Sequence, residues 1–212
     1  MLVRDGRVHA RQRHLDRLAH SIGALGGRRL APDLARQVDQ RAAGLDGEHR
    51  LRIDVVPGED IAITTQPVPP DYRRPVTLAP LVVPGGLGAH KWRDRRLLGT
   101  RAAEPAPLLI ESDGTVLEAA WGNFWVLEGD ALITPPADGR ILPGVTRALL
   151  LELAASLGLH AREEPITLHR AQRAPVTLAT SAIRLAVPVT LAPSAAPPAA
   201  MVERIRTAVG PH

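Results

Sequence analysis

Lys91 is the single lysine among the 26 lysines and arginines of this 212-residue chain. In a sequence that writes every other basic position as arginine, an ammonium persists because arginine cannot replace it, or by chance at a solvated helix start. The chemical difference is concrete. An amine can shed its proton and attack a carbonyl to form a Schiff base, whereas a guanidinium stays protonated and delocalised. Two further segments carry chemistry that would suit such an amine. Glu118 interrupts the apolar run LEAAWGNFWVL, where a carboxylate must reach solvent or find a partner. LPGVT, residues 142–146, sets a glycine and a hydroxyl residue at the start of a helical pattern. Unpaired backbone N–H groups and the helix dipole favour a phosphate at such a start. Each also has a plain reading, since strand acids often face water and Pro-Gly turns begin many helices that bind nothing.

The elements that must position these residues follow from period and punctuation. HLDRLAHSIGALGG sets Leu15, Leu18, Ile22 and Leu25 on one helical stripe, with Gly26-Gly27 as the stop and Arg17 off the stripe. A second helix is expected over 31–43, then strands in LRIDVV and DIAITTQ around a Pro57-Gly58 turn. Residues 67–75 are proline-rich and aperiodic, and read as a linker between a small N-terminal α/β lobe (1–66) and a larger C-terminal β-rich lobe (76–212). In the larger lobe VTLAPLVVP is strand-like, and PLLIE, TVLEAAWGNFWVLE and ALITPP form a β-meander turning at Asp113-Gly114 and Gly129-Asp130. TRALLLELAASLG changes period, placing Leu149, Leu150, Leu153, Ala154 and Leu157 on one face of a helix that ends at Gly158. A short strand near 160–166, a strand over 175–181, a turn at VPV and an amphipathic helix near 198–209 complete an α+β chain. With TVLEAAWGNFWVLE as one strand, Glu118 and Asn123 have opposite parity. They then share a site only through a bulge, for which Gly122 is the natural position.

Composition removes several function classes. The 26 basic and 22 acidic residues are interspersed, and three Trp, one Tyr and one Phe provide no stacking platform, so no nucleic-acid partner is expected. Without cysteine there is no disulfide or thiolate chemistry, which fits a reducing, cytoplasmic compartment. No apolar run has the length of a signal peptide core or a membrane span. The eight histidines show neither HExxH nor HxH spacing, so no metal site is expected.

An amine, a strand carboxylate and an anion-binding helix start together match what pyridoxal phosphate requires. Its aldehyde needs the amine, its ring nitrogen a carboxylate, and its phosphate N–H donors and a cation. The run LEAAWGNFWVLEGDALITPPADGRILPGVTRALLLELA, 117–154, resembles the signature of the class IV aminotransferases: a Glu, small residues, Asn with an aromatic, a hairpin, Thr-Pro, then Leu-Pro-Gly-x-Thr-Arg. That family of fold-type IV enzymes includes branched-chain and D-amino-acid aminotransferases and aminodeoxychorismate lyase. The resemblance implies a Schiff base between Lys91 and pyridoxal phosphate, Glu118 on the ring nitrogen, and phosphate contacts from Val145, Thr146 and Arg17, since HLDRL is similar to the family's His-x-x-Arg-Leu. Ser181, in LATSAIRLAVPV, falls where relatives offer another phosphate contact, and Asn123 matches an Asn beside the cofactor strand with a positioning role. The implied fold is a two-lobed fold-type IV architecture, with a shortened N-terminal lobe and a barrel-like C-terminal one, assembled as a homodimer. The implied activity is transamination between a small amino acid and a 2-oxo acid. HKWRDRRLL, with Asp94 in the Asn place and Arg95 matching, is similar to the Lys-x-x-Asn-Arg of aminodeoxychorismate lyases, so pyruvate elimination is the alternative. A relative that binds the cofactor but is catalytically impaired is another.

Overall fold

The computed structural model describes residues 1–27, 29–94, 96–98, 105–191 and 199–211. They form two units, Met1–Tyr72 with Pro211, and Arg73–Gly210. In the first, β1 (Leu2–Arg4) turns back through Asp5-Gly6 into β2 (Arg7–Val8), both turn residues taking positive φ. Helices α1 (Arg11–Ala24) and α2 (Leu34–Ala42) follow, then β3 (Glu48–Asp54) and β4 (Ala62–Pro67), in an antiparallel sheet of order β2-β1-β3-β4. Leu15, Leu34, Val38 and Ala42 from the helices meet Val3 and Leu51 of the sheet, as amphipathic spacing requires. Leu25, expected on the α1 stripe, is 54% exposed because the helix has ended at Ala24 and Gly26 carries the chain through a left-handed turn. After β4, Pro70–Arg73 forms one 3-10 turn. Arg4 Nη1 donates to the Pro211 carbonyl at 3.1 Å.

The second unit begins with β5 (Val76–Val82), β6 (Ala106–Ile110), β7 (Thr115–Ala119), β8 (Gly122–Glu128) and β9 (Ala131–Thr134). Then come α3 (Val145–Leu153), β10 (His160–Glu163), β11 (Ile166–Thr167), α4 (Leu168–Arg173), β12 (Val176–Ser181), β13 (Leu185–Leu191) and α5 (Ala199–Val209). The strand order is β10-β9-β8-β12-β13-β5-β6-β7-β11, and β7 also pairs with β8. That extra pairing closes β8-β12-β13-β5-β6-β7 into a ring, which removes the edges an open sheet would expose. Val76, Leu78, Leu108, Phe124, Val126 and Val187 are among the buried residues that fill it. α3 packs on β12 and α5 on β13, and the two helices touch each other.

Four expectations change. TVLEAAWGNFWVLE is two strands, turning at Ala120-Trp121 so that Ala119 faces Gly122 and Glu118 faces Asn123. The VPV segment is a strand, with Pro188 opposite Leu178; a proline fits there because the parallel ladder with β5 starts only at the next residue, Val189. The stretch near 160–166 is divided between β10, parallel to β9, and β11, antiparallel to β7. α4 was not expected, and its cap is a Thr167 side chain that accepts the Arg170 N–H at 3.2 Å.

Candidate active site

The two residues of opposite parity meet because they are cross-strand partners. In an antiparallel hairpin, directly opposed residues project on the same face, so the Glu118–Asn123 rung presents both side chains together without a bulge. Gly122 is still needed, for space: a Cβ there would come 2.3 Å from the Thr180 carbonyl of the neighbouring β12. Glu118 is 4% exposed and Asn123 3%, so neither is a surface acid or amide. Both address one backbone unit. Asn123 Nδ2 donates to the Leu142 carbonyl at 2.8 Å, while the Leu142 N–H points at Glu118 Oε1 across 3.5 Å. Two residues later Gly144 lies so close that a Cβ on it would stand 2.0 Å from Asn123 Oδ1. Gly144 has φ −69, so this glycine is required by proximity and not by backbone conformation.

Gly144 is the N-cap of α3, and no side chain caps the helix. The first N–H groups, at Val145 and Thr146, have no i−4 carbonyl to meet. Val145 and Thr146 are buried. The helix start is anchored one residue further on. Arg147 donates to the Pro135 carbonyl at 2.9 Å and pairs with Glu163, whose carboxyl it holds below the usual glutamate range by that hydrogen bond.

Lys91 sits on a non-helical loop after β5, not at a helix start, and it is exposed. It lines a small cleft, partly open to solvent, together with Glu118, Leu142, Asp94, Trp92 and His90. The two groups singled out from sequence therefore share one cavity, beside the peptide that ties Glu118 and Asn123 to α3. Around the lysine, the Trp92 indole donates to the Leu87 carbonyl at 3.0 Å and meets the His90 ring edge-on, centroids 6.0 Å apart. Asp94 is held by Arg96, whose hydrogen bonds lower its pKa. Arg95 lies outside the described residues.

Ser181 ends β12 one residue beyond Thr180, the partner of Asn123, and its Oγ accepts the Arg184 N–H at 3.2 Å in the turn to β13. Arg17 is on α1 of the first unit, half-buried. Sequence reasoning missed the Leu142 peptide, which works through its backbone, and the contacts that Glu111 and Arg140 make to the lysine loop. The paired glycines Gly85-Gly86, with Gly88, were the available signal for a close approach there.

This closed sheet with its helices is a fold-type IV architecture. A hypothetical aminotransferase from Mycobacterium tuberculosis, in its α-ketoglutarate- and PMP-bound form, superposes with a TM-score of 0.84 at 24% identity, over 98% of this chain and 85% of that one. A 4-amino-4-deoxychorismate lyase assigned in Legionella pneumophila superposes with a TM-score of 0.74 at 20% identity, over 91% of this chain and 81% of that one. The sequence pattern of the amino-transferase class IV family matches residues 1–192, and the chain belongs to that family of enzymes. It is also similar to a branched-chain-amino-acid aminotransferase assigned in Methanocaldococcus jannaschii, 38% identical over 61 residues, 29% of this chain and 21% of that protein. The matched stretch thus spans about a fifth of that relative's length. Among the described residues no helix is long and apolar enough to cross a membrane, and no cluster of His, Asp or Glu could hold a metal ion.

Proposed function

We propose that this protein is a pyridoxal-phosphate-dependent aminotransferase that moves an amino group between a small amino acid and a 2-oxo acid, working in the cytoplasm as a homodimer. The observation that carries the proposal is the shared cleft of Lys91 and Glu118. The residues present suit the group. The cleft offers one amine and a buried carboxylate, and Leu142 in its lining lies three residues before Val145, the first residue of a helix without a side-chain cap. When bound, pyridoxal phosphate supplies the electron sink that makes a substrate α-hydrogen acidic.

The chain's own residues have distinct tasks. The Lys91 amine would hold the cofactor through its aldehyde and would accept and return the substrate's α-proton as general base and acid. The Glu118 carboxylate holds a proton at the ring nitrogen, and its burial strengthens that interaction. The Val145 and Thr146 N–H groups, with Ser181, would bind the phosphate. Asn123 fixes the Leu142 peptide and so the position of the helix start. Buried Leu98 and exposed Leu97 add apolar surface to the cleft lining.

Pyruvate elimination from 4-amino-4-deoxychorismate is the second reading, supported by Asp94 lining the same cleft at the position where lyases carry Asn. Protein loaded with pyridoxal phosphate and mixed with single amino acids separates the cases. Loss of the visible band with formation of the 2-oxo acid supports transamination. Pyruvate release from aminodeoxychorismate supports the lyase. A band that responds to neither indicates a cofactor-binding relative without activity and refutes both.

A further inference from the structure

The loop that carries Lys91 is held from two sides by residues to which nothing above gives a role in the reaction. From one side, the Glu111 carboxylate accepts the Gly85 N–H at both oxygens, at 3.1 and 3.2 Å. From the other, the Arg140 carbonyl accepts the Gly88 N–H at 3.3 Å and occupies the space of a Gly86 side chain, since a Cβ there would lie 2.1 Å away. The two holds are linked, because Arg140 Nη1 reaches Glu111 Oε1 at 3.4 Å. The guanidinium is steadied by Asp138, at 3.0 Å from Nε and 2.6 Å from Nη2. Two residues along the same segment, Leu142 meets Glu118 and Asn123. The lysine loop and the partner of the buried carboxylate are therefore fastened to one stretch of backbone, 138–142.

Glu111 is not needed for its own turn. The Glu111–Thr115 turn is closed by backbone bonds, Glu111 N–H to the Thr115 carbonyl at 2.8 Å and Gly114 N–H to the Glu111 carbonyl at 3.0 Å. Its side chain, 17% exposed, is left to gather Gly85 and Arg140. We infer that Glu111 and Arg140 are positioning residues, a latch that fixes the Lys91 amine opposite Glu118. This rests on the pyridoxal phosphate reading of the site, and it adds what sets the separation of its two ends.

The test compares wild type, E111A and the isosteric E111Q, which keeps one oxygen for the Gly85 N–H. Amide hydrogen exchange of 83–92, measured without cofactor, should accelerate about tenfold or more in E111A and less in E111Q, with β12 and β13 unchanged. Affinity for added pyridoxal phosphate should fall about tenfold in E111A, and the pH midpoint of the visible band should move, neither of which a purely structural turn residue would cause. Unchanged exchange at 83–92, equal acceleration throughout the unit, or faster exchange with wild-type cofactor affinity and midpoint would each overturn the latch. If E111A does not fold, E111Q decides by the same criteria. Wild type that takes up no cofactor overturns the parent reading and the inference with it, whereas loaded wild type with unchanged exchange in the variant overturns the inference alone.

Discussion

Replacing Asn123 by alanine and by aspartate should destabilise the protein in a fixed order, with aspartate the worse although it is nearly isosteric. The alanine variant loses the 2.8 Å bond from Nδ2 to the Leu142 carbonyl at a side chain only 3% exposed. A lost neutral hydrogen bond that strands a sheltered acceptor costs about 1–3 kcal/mol. Aspartate keeps the shape but turns a donor into an anion, facing the Leu142 carbonyl and directly opposite Glu118 on the same rung. An uncompensated buried charge costs about 3–5 kcal/mol. For a chain of this size each kcal/mol lowers the melting temperature by roughly 2–4 °C. Urea unfolding at neutral pH reads the order directly. The sign with pH also follows. Burial and repulsion raise the folded pKa of the introduced Asp above its unfolded value of about 3.9, so its penalty holds above the folded pKa and is relieved as pH falls through it. Equal costs for the two variants, or an aspartate variant milder than alanine at neutral pH, would refute the assignment of Asn123 as a buried donor to Leu142.

Gly86→Ala puts a Cβ 2.1 Å from the Arg140 carbonyl at a backbone φ of 67, so cofactor uptake measured by titration should weaken at least tenfold, from a strain of about 1–2 kcal/mol plus the overlap. Gly122→Ala meets the Thr180 backbone at 2.3 Å, and should lower the melting temperature more than Gly114→Ala, whose added Cβ would have no heavy atom within 4 Å, although Gly114 also has a positive φ of 82. Glu128 is held low by its hydrogen bond from Arg170, and Glu163 by that from Arg147. Both folded pKa values are depressed, so their stabilisation is present above the ordinary glutamate value of about 4.3 and is lost as pH falls through the folded values. Urea midpoints should therefore drop below about pH 4 in wild type, and more shallowly in E128Q.

Residue chemistry made the ends of the site legible, and the topology that joins them was less so. Lys91 stood out because a lone amine among arginines is a chemical anomaly, and Glu118 because an acid in an apolar run must be explained. The LPG segment announced α3 through ordinary start signals. The hairpin between Glu118 and Asn123 was hidden because Ala120-Trp121 carries no Asn-Gly or Asp-Gly turn signal and the flanking residues are apolar on both sides. Pro188 was read as a turn because the rule that keeps proline out of central strands is about ladder hydrogen bonds. Sequence does not reveal that the β5 ladder begins at Val189. α4 escaped because LHRAQR has six residues and only Ala171 buried, too short for a period. Leu142 and Arg140 escaped for another reason: they act through backbone carbonyls, which every residue possesses.

The single lysine makes the decisive measurement simple. Protein mixed with pyridoxal phosphate, reduced with borohydride and mapped by mass spectrometry should carry the cofactor on the peptide containing Lys91, and K91A should carry none there while remaining folded. Label confined to the Met1 amino group, or no label on protein whose fold is intact, would contradict the claim that the amine of Lys91 and the carboxylate of Glu118 hold this cofactor between them.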